Sequence, residues 1–169
     1  MQKVYVASND NTVSVIDIKT NAVVGNPIPV GRGAVEGLAV NTNTDTVYVT
    51  TLFPNSIYII DGKNRPFTVI NDVHLNNTAA GLISFNPSKN LIYHMSGNRL
   101  SIIDSSAINK NKSDIINVGL GPLDVRFDQK TNKIYVANLG DNTVSVIDPK
   151  TNKVIGTIKV GTLPGGGEE

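Results

Sequence analysis

A short apolar run centred on a tyrosine recurs along the chain, and it constrains the fold more than any other feature. The four tyrosines are spaced by 43, 45 and 42 residues: Tyr5, Tyr48, Tyr93 and Tyr135. A second run that ends in aspartate follows each of them: Thr12–Asp17, Ser56–Asp61, Arg99–Asp104 and Thr143–Asp148. Self-similarity at such a period is typical of repeat architectures, in which neighbouring units bury a shared core.

Each repeat is predicted to contain short strands and almost no helix. The runs are rich in Val, Ile, Tyr and Thr, which pack well on a pleated surface, and clusters of Asn, Asp, Gly and Pro separate them. A third run is found at Ala22–Val30, Pro66–Val73, Asp114–Val118 and Lys153–Val160. A fourth run is found at Gly37–Val40, Gly81–Phe85 and Leu123–Phe127. No window shows a sustained helical period of apolar residues.

An aspartate closes the second run of every repeat, and we predict that it serves the fold. These residues are Asp17, Asp61, Asp104 and Asp148. An aspartate at such a place can accept hydrogen bonds from backbone amides just beyond it, and a nearby asparagine tolerates left-handed backbone. A catalytic carboxylate pair would need two groups that converge within several ångström, which equivalent turns of separate repeats do not provide.

Four short strands in about 43 residues, repeated in tandem, predict an all-β chain of the β-propeller class. We expect one domain over residues 1–169, with blade repeats at 3–30, 37–73, 80–118 and 123–160 and a tail at 161–169. Because the tail is rich in glycine, it is a poor candidate for a further strand.

The repeats resemble the YVTN-type β-propeller repeats, named for a strand such as Tyr135-Val136-Ala137-Asn138. Lys133–Pro164 follows that pattern almost throughout, and Lys3–Val40 nearly as well, whereas the run at Tyr48 lacks the asparagine and the run at Tyr93 keeps only the tyrosine. The resemblance implies that the fourth run is the innermost strand of each blade. The chain would then hold three full blades and one blade without its inner strand. Since related propellers commonly have seven blades, we expect a half-ring or a propeller fragment.

The ends of such an array would leave apolar blade faces in water. Large exposed apolar patches mark interfaces or aggregation, so we expect self-association through the terminal blade faces. The simplest form is a homodimer, in which two four-blade arcs make an eight-blade ring with C2 symmetry.

The composition excludes several classes of function. The net charge is +1 and the basic residues are scattered, which argues against nucleic-acid binding. Cysteine is absent, so there is no disulfide, thiol nucleophile or cysteine-ligated metal. No apolar run reaches the ~18 residues of a membrane helix, and the first residues do not resemble a signal peptide. The resemblance suggests an extracellular or cell-surface setting, where the sequons at 76–78 and 111–113 would matter.

Function is best sought where the repeat is broken, because residues that serve the fold recur and site residues need not. The candidate binding residues in those departures are Arg32, Glu36, Phe53, His74, Asp124 and Arg126. The two histidines, His74 and His94, show no metal-ligand spacing with other residues. No serine stands in a Gly-x-Ser-x-Gly motif.

These observations predict a non-enzymatic binding or scaffold propeller, without a cofactor, that contacts a protein or a glycan through the loop end of its blades. Two alternatives stay open. One is an enzyme, because some of the propellers that it resembles act as lactonases or carry redox cofactors. The other is a self-assembling propeller fragment with no separate ligand. We also expect Val144→Asp to unfold the protein, because its strand is predicted to be buried on both faces.

Overall fold

The computed structural model describes residues 2–75, 81–110 and 113–161, which form four antiparallel sheets. Sheet 1 contains β1 (Lys3–Ser8), β2 (Thr12–Asp17), β3 (Ala22–Val23) and β4 (Ile28–Pro29). Sheet 2 contains β5 (Val35–Asn41), β6 (Thr46–Thr51), β7 (Ser56–Asp61) and β8 (Thr68–His74). Sheet 3 contains β9 (Ile83–Asn86), β10 (Leu91–Ser96), β11 (Arg99–Asp104) and β12 (Ser113–Asn117). Sheet 4 contains β13 (Pro122–Asp128), β14 (Lys133–Asn138), β15 (Thr143–Asp148) and β16 (Lys153–Lys159).

The predicted all-β fold is confirmed. Sheets 2, 3 and 4 each have four strands in chain order. In sheet 1, β3 and β4 both pair with β2, so they are two pieces of one outer strand. Gly25, with φ +77°, and Pro27 lie between the two pieces, and proline cannot donate a ladder hydrogen bond. Within the described residues, sheet 1 has no strand on the free side of β1.

The turn chemistry predicted for the closing aspartates is also confirmed. In each sheet the Oδ1 atom accepts a hydrogen bond from the backbone amide two residues on: Lys19 to Asp17 at 2.9 Å, Lys63 to Asp61 at 2.8 Å, Ser106 to Asp104 at 2.9 Å and Lys150 to Asp148 at 2.8 Å. Asn21 and Asn152 have φ values of 53° and 54°, the left-handed backbone that their position requires.

One short 3-10 helix, Ser105–Lys110, was not predicted from the sequence. It begins directly after β11, where Asp104 Oδ1 accepts hydrogen bonds from both the amide and the hydroxyl of Ser106, at 2.9 and 2.6 Å. Serine and aspartate form such local bonds readily, and these bonds turn the chain where the other sheets have a simple turn.

The chain divides into two compact units, Met1–Ala80 with sheets 1 and 2 and Gly81–Glu169 with sheets 3 and 4. The sequon at 76–78, most of the crossing that follows His74 and the tail beyond Gly161 lie outside the described residues, as do two positions of the sequon at 111–113.

Each sheet has two faces, and repeat-equivalent side chains occupy the same face in every sheet. We call the face that carries the repeated tyrosine the front face, and the opposite one the back face. In the first unit, the front face of sheet 1 shares a core with the back face of sheet 2: Val13, Val15 and Ile28 with Val47, Val49 and Ile60. In the second unit, the front face of sheet 3 shares a core with the back face of sheet 4: Tyr93, Leu100 and Ile102 with Ile134, Val136 and Ile147. Both units therefore use one packing scheme.

Val13 and Val144 occupy the same repeat position but differ in burial. Val13 is 0% exposed, whereas Val144 is only half-buried on the front face of sheet 4. Val144 itself is therefore less buried than expected, although Val146 on the same face of its strand is only 7% exposed.

We expect Val13→Asp to lower the free energy of unfolding by about 3 kcal/mol or more, since it buries an unpaired charge. Val144→Asp is the matched control and should cost about 1 kcal/mol, because water still reaches its carboxylate. Urea denaturation of both variants in dilute solution measures the difference. Equal losses would contradict the assignment of the two faces.

Candidate functional site

Four of the six predicted site residues lie at one end of sheet 2. Arg32 is in the loop that crosses from sheet 1 into β5, Glu36 is at the start of β5, Phe53 is in the β6–β7 turn and His74 ends β8. We call this region the loop end of sheet 2, comprising residues 30–36, 52–56 and 74.

Hydrogen bonds fasten the crossing loop to the β6–β7 turn. The Arg32 amide donates to the Phe53 carbonyl at 2.8 Å, and the Leu52 amide donates to the Ala34 carbonyl at 3.0 Å. Within the turn, Thr51 Oγ1 donates to the Pro54 carbonyl at 2.8 Å. These backbone hydrogen bonds hold the two segments together much as the hydrogen bonds of a short β-ladder would.

Gly33 allows this close contact. A Cβ at Gly33 would lie 2.8 Å from Cβ, Cδ2 and the backbone nitrogen of Phe53, closer than real Cβ atoms come. Phe53 is nevertheless 68% exposed, so its ring is supported on one side and open to water on the other. Arg32, one residue before Gly33, is exposed as well. The result is an aromatic and a cationic side chain presented on a well-supported loop.

Glu36 lies in a β-bulge at the start of β5. Val35 pairs with Thr51 and Gly37 with Thr50, which leaves Glu36 as the extra residue of its strand. A bulge re-aims a side chain and bends the strand. Sheet 4 repeats this irregularity at Leu123, so the bulge belongs to the repeat, and only its side chain differs.

Ser56 and His74 form a direct cross-strand pair, which sequence reasoning missed. The two residues lie opposite each other on β7 and β8, with Ser56 Oγ 2.7 Å from His74 Nδ1. A serine bonded to a histidine is also how a nucleophile and its base are arranged. Ser56 is 0% exposed, however, so a substrate cannot reach its hydroxyl in this conformation. The pair fixes the orientation of the exposed imidazole.

His74 and Glu36 do not converge. They lie on β8 and β5, the two edge strands of the sheet, with β6 and β7 between them. At about 4.8 Å per strand, the two strands are about 14 Å apart. The loop end is therefore a broad surface and not a compact catalytic centre.

Tyr58 lies behind this surface on β7, opposite Asp72. Burial raises the pKa of Tyr58, the nearby Asp72 carboxylate raises it further, and a backbone hydrogen bond with Gly31 works in the opposite direction. The phenol is therefore neutral at physiological pH and helps to anchor the crossing loop at Gly31.

Asp124 and Arg126 belong to the second unit and pair with each other. On β13, Arg126 Nε donates to Asp124 Oδ2 at 3.0 Å, and the Val125 amide donates to Asp124 Oδ1 at 2.8 Å. The side chain of Arg126 is 76% exposed and that of Asp124 39%, so the ion pair adds little stability. The two residues lie opposite Tyr135 and Ala137, which places them on the front face of sheet 4.

A cleft in the first unit was not predicted. It has a volume of about 390 Å³ and lies between the outer strands of sheets 1 and 2, beside Pro27, Ile28, Arg65, Pro66 and Phe67. The Arg65 guanidinium carbon and Lys3 Nζ lie 5.6 and 5.7 Å from the centre of the Phe67 ring. The signal in the sequence was the Arg-Pro-Phe segment at 65–67, which the other repeats do not share.

His94 is buried and has no apparent ligand role. It stands on β10 where the other sheets have Val6, Val49 and Val136, and it is 1% exposed. Its Nε2 atom has no hydrogen-bond partner among the described residues. Burial lowers the pKa of His94 from 6.5 to about 4, so the ring is neutral at physiological pH.

The protein is expected to lose stability when acid protonates His94. Because its pKa is lower in the folded state than in the unfolded state, stability is fully present above pH 6.5 and falls as the pH drops toward 4. The loss at pH 4 should be about 3 kcal/mol. In His94→Val the loss of stability that comes from protonation of this histidine should disappear, while the titration of the carboxylates is common to both proteins. Urea midpoints at several pH values measure it, and parallel pH profiles for the two proteins would contradict the assignment.

Two further kinds of site are not found in the part of the chain that the structure describes. No three His, Asp or Glu side chains lie together as ligands of a metal ion would. No helix there is both long enough and apolar enough to cross a membrane.

Comparison with solved structures supports the β-propeller fold. Hydrazine synthase from Kuenenia stuttgartiensis is 18% identical with a TM-score of 0.77, and the match covers 92% of this chain and 45% of that one. Dihydro-heme d1 dehydrogenase NirN, solved in complex with DHE, is 16% identical with a TM-score of 0.75, and the match covers 94% of this chain and 35% of that one. The chain thus spans less than half of either neighbour.

At these identities the likeness concerns the fold alone. No protein-family profile and no curated protein matches the chain, so the YVTN resemblance stays a prediction from the repeats.

Proposed function

We propose that this protein is a binding module that contacts another protein through the loop end of sheet 2. The observation that supports the proposal is Phe53, which is 68% exposed although backbone hydrogen bonds and the contact with Gly33 hold its loop in place. An isolated exposed aromatic on a loose loop would mean little. An aromatic on a supported loop has already met part of the entropy cost of binding.

The chemistry of the neighbouring side chain suits the same role. Aromatic residues and arginine are the side chains that most often dominate protein–protein binding energy. Phe53 and Arg32 lie in the two segments joined by the 2.8 Å bond from the Arg32 amide to the Phe53 carbonyl. A matching partner surface has an apolar pocket for the ring and a carboxylate for the guanidinium.

We further propose that the repeats are of the YVTN type, with the cell-surface setting that the resemblance implies. Support comes from Asn138, the last residue of the Tyr-Val-Ala-Asn run. It is 0% exposed, and its Nδ2 atom donates to Thr143 Oγ1 at 3.0 Å and to Ser145 Oγ at 2.9 Å. The asparagine of the motif therefore ties two adjacent strands together, a role in the fold and not in a site.

An enzymatic function is the less favoured alternative. The names of both solved neighbours describe enzymes, but at 16–18% identity they share only the fold with this chain. Among the residues that the structure describes, the Ser56–His74 pair is the arrangement closest to a catalytic one, and its hydroxyl is enclosed.

The double variant Arg32→Ala, Phe53→Ala should lose its partner. Truncation of two hot-spot side chains typically costs about 2 kcal/mol each, or roughly 30-fold in affinity per residue. The matched control is Leu120→Ala, which removes a side chain that is 55% exposed at the equivalent position of the crossing loop before sheet 4.

The measurement is affinity capture from extracts of the source cells, followed by calorimetry on each recovered protein. We expect wild type and the Leu120→Ala control to bind equally and the double variant to bind at least tenfold more weakly. Equal binding by all three would overturn the proposal. If no protein is captured and the chain instead binds glycans on an array in a way that depends on Phe53, the partner is a glycan and not a protein.

A further inference from the structure

Sheets 1 and 4 each expose a face whose equivalent in another sheet is buried. On the back face of sheet 1, Val4 and Val6 are 44% and 40% exposed. Their equivalents in sheets 2 and 4 are all 0% exposed: Val47, Val49, Ile134 and Val136. In both cases the burying surface is the front face of the preceding sheet.

Sheet 4 shows the complementary difference on its front face. Ile158 and Val160 are 51% and 38% exposed, and Val144 is half-buried. Their equivalents in sheet 1 are Ile28 at 2%, Val30 at 0% and Val13 at 0%, which pack on the back face of sheet 2. The back face of sheet 1 and the front face of sheet 4 are therefore the two complementary surfaces of this packing, and both are exposed.

A polar contact accompanies the packing in both units. Lys3 Nζ donates to the Gly62 carbonyl at 2.5 Å, and Lys89 Nζ donates to the Pro149 carbonyl at 2.9 Å. In each case a lysine of the preceding sheet reaches the carbonyl of the residue that directly follows the closing aspartate. Lys3 Nζ also donates to Asp45 Oδ2 at 2.9 Å.

The same donor and acceptor are present at the two exposed faces. Lys133 in sheet 4 is the repeat equivalent of Lys3. Ile18 follows the closing aspartate of sheet 1, and its amide donates to the Gln2 carbonyl at 3.1 Å, just as the Gly62 amide donates to the Asp45 carbonyl at 2.8 Å. The Ile18 carbonyl is therefore presented in the way that the Gly62 carbonyl is.

We propose that the front face of sheet 4 binds the back face of sheet 1 in a second copy of this chain, with Lys133 donating to the partner's Ile18 carbonyl. The occupant is a second copy because each face already finds its counterpart at the other end of the same sequence. The contact is heterologous, meaning that two different surfaces meet at each junction.

Two positions distinguish this junction from that between sheets 1 and 2. Gln2 stands where sheet 2 has Asp45, whose carboxylate pairs with Lys3 at 2.9 Å, and Ile18 stands where sheet 2 has Gly62. A Cβ at Gly62 would collide with the Tyr5 hydroxyl, and Ile18 has a Cβ at the equivalent place. Sheets 3 and 4 show how this is accommodated, since Pro149 stands there and Tyr93 instead accepts a hydrogen bond from Asn86 Nδ2 at 3.0 Å. We expect the junction between copies to accommodate the Ile18 side chain as sheets 3 and 4 accommodate Pro149, whereas its lysine donor follows the arrangement of sheets 1 and 2, because Lys133 is the equivalent of Lys3.

The test uses sedimentation velocity on the full chain at micromolar concentration. Wild type should sediment as a dimer or a larger assembly of the 18.0 kDa chain. Val6→Asp and Ile158→Asp, which each place a charge on one of the two faces, should sediment as monomers. The matched control is Ile70→Asp, on the outer strand of sheet 2 and 61% exposed, which should assemble like wild type.

Mixing the two monomeric variants gives the decisive result. Val6→Asp keeps its sheet 4 face and Ile158→Asp keeps its sheet 1 face, so one intact junction remains between them. The mixture should therefore form a dimer that contains one copy of each variant. A mixture that stays monomeric, a monomeric wild type, or an assembly that survives both single substitutions would overturn the proposal.

Circular dichroism establishes that each variant keeps its β-sheet signal. If either one unfolds, Val4→Lys and Val160→Lys replace them, because these side chains are 44% and 38% exposed on the same two faces.

Discussion

The packing of the front face of one sheet on the back face of the next is the interaction on which the rest of this structure depends. A single four-stranded sheet with apolar residues on both sides cannot bury them alone. In each unit, two sheets share a continuous core in which the central valines and isoleucines are excluded from water. The turns, the bulges and the exposed loop end are all positioned by the register of that packing.

The repeat in the sequence was sufficient to predict the sheets, since period and turn chemistry reinforce each other. The second run of each repeat forms a strand with the predicted limits, because the side chain of the aspartate that ends it accepts a hydrogen bond from the following turn. The split outer strand of sheet 1 and the 3-10 helix after Asp104 were less visible, since both depend on local bonding by Gly, Pro and Ser residues. The burial of Val144 was mispredicted because burial depends on the neighbouring sheet, which a strand's own sequence does not contain.

The candidate site could be predicted only in part. Departures from the repeat pointed to Arg32 and Phe53, and the structure shows that their segments are hydrogen-bonded to each other. The same reasoning could not find the Ser56–His74 pair or the cleft beside Phe67, because both arise from residues that meet across strands or sheets. It also grouped Asp124 and Arg126 with the others, although they form a separate ion pair on β13.

The lysine bonds that accompany the sheet packing reach backbone carbonyls, although Lys3 also pairs with the Asp45 carboxylate at 2.9 Å. The carbonyl contact has a consequence for how such an array can change. A carbonyl is present whatever the side chain, as glycine at 62 and proline at 149 illustrate. The residue that supplies the acceptor is therefore free to vary without loss of the bond. The carbonyl contact therefore survives a substitution of the acceptor residue in one blade without a compensating substitution in the neighbouring blade, whereas the Lys3–Asp45 ion pair depends on its carboxylate.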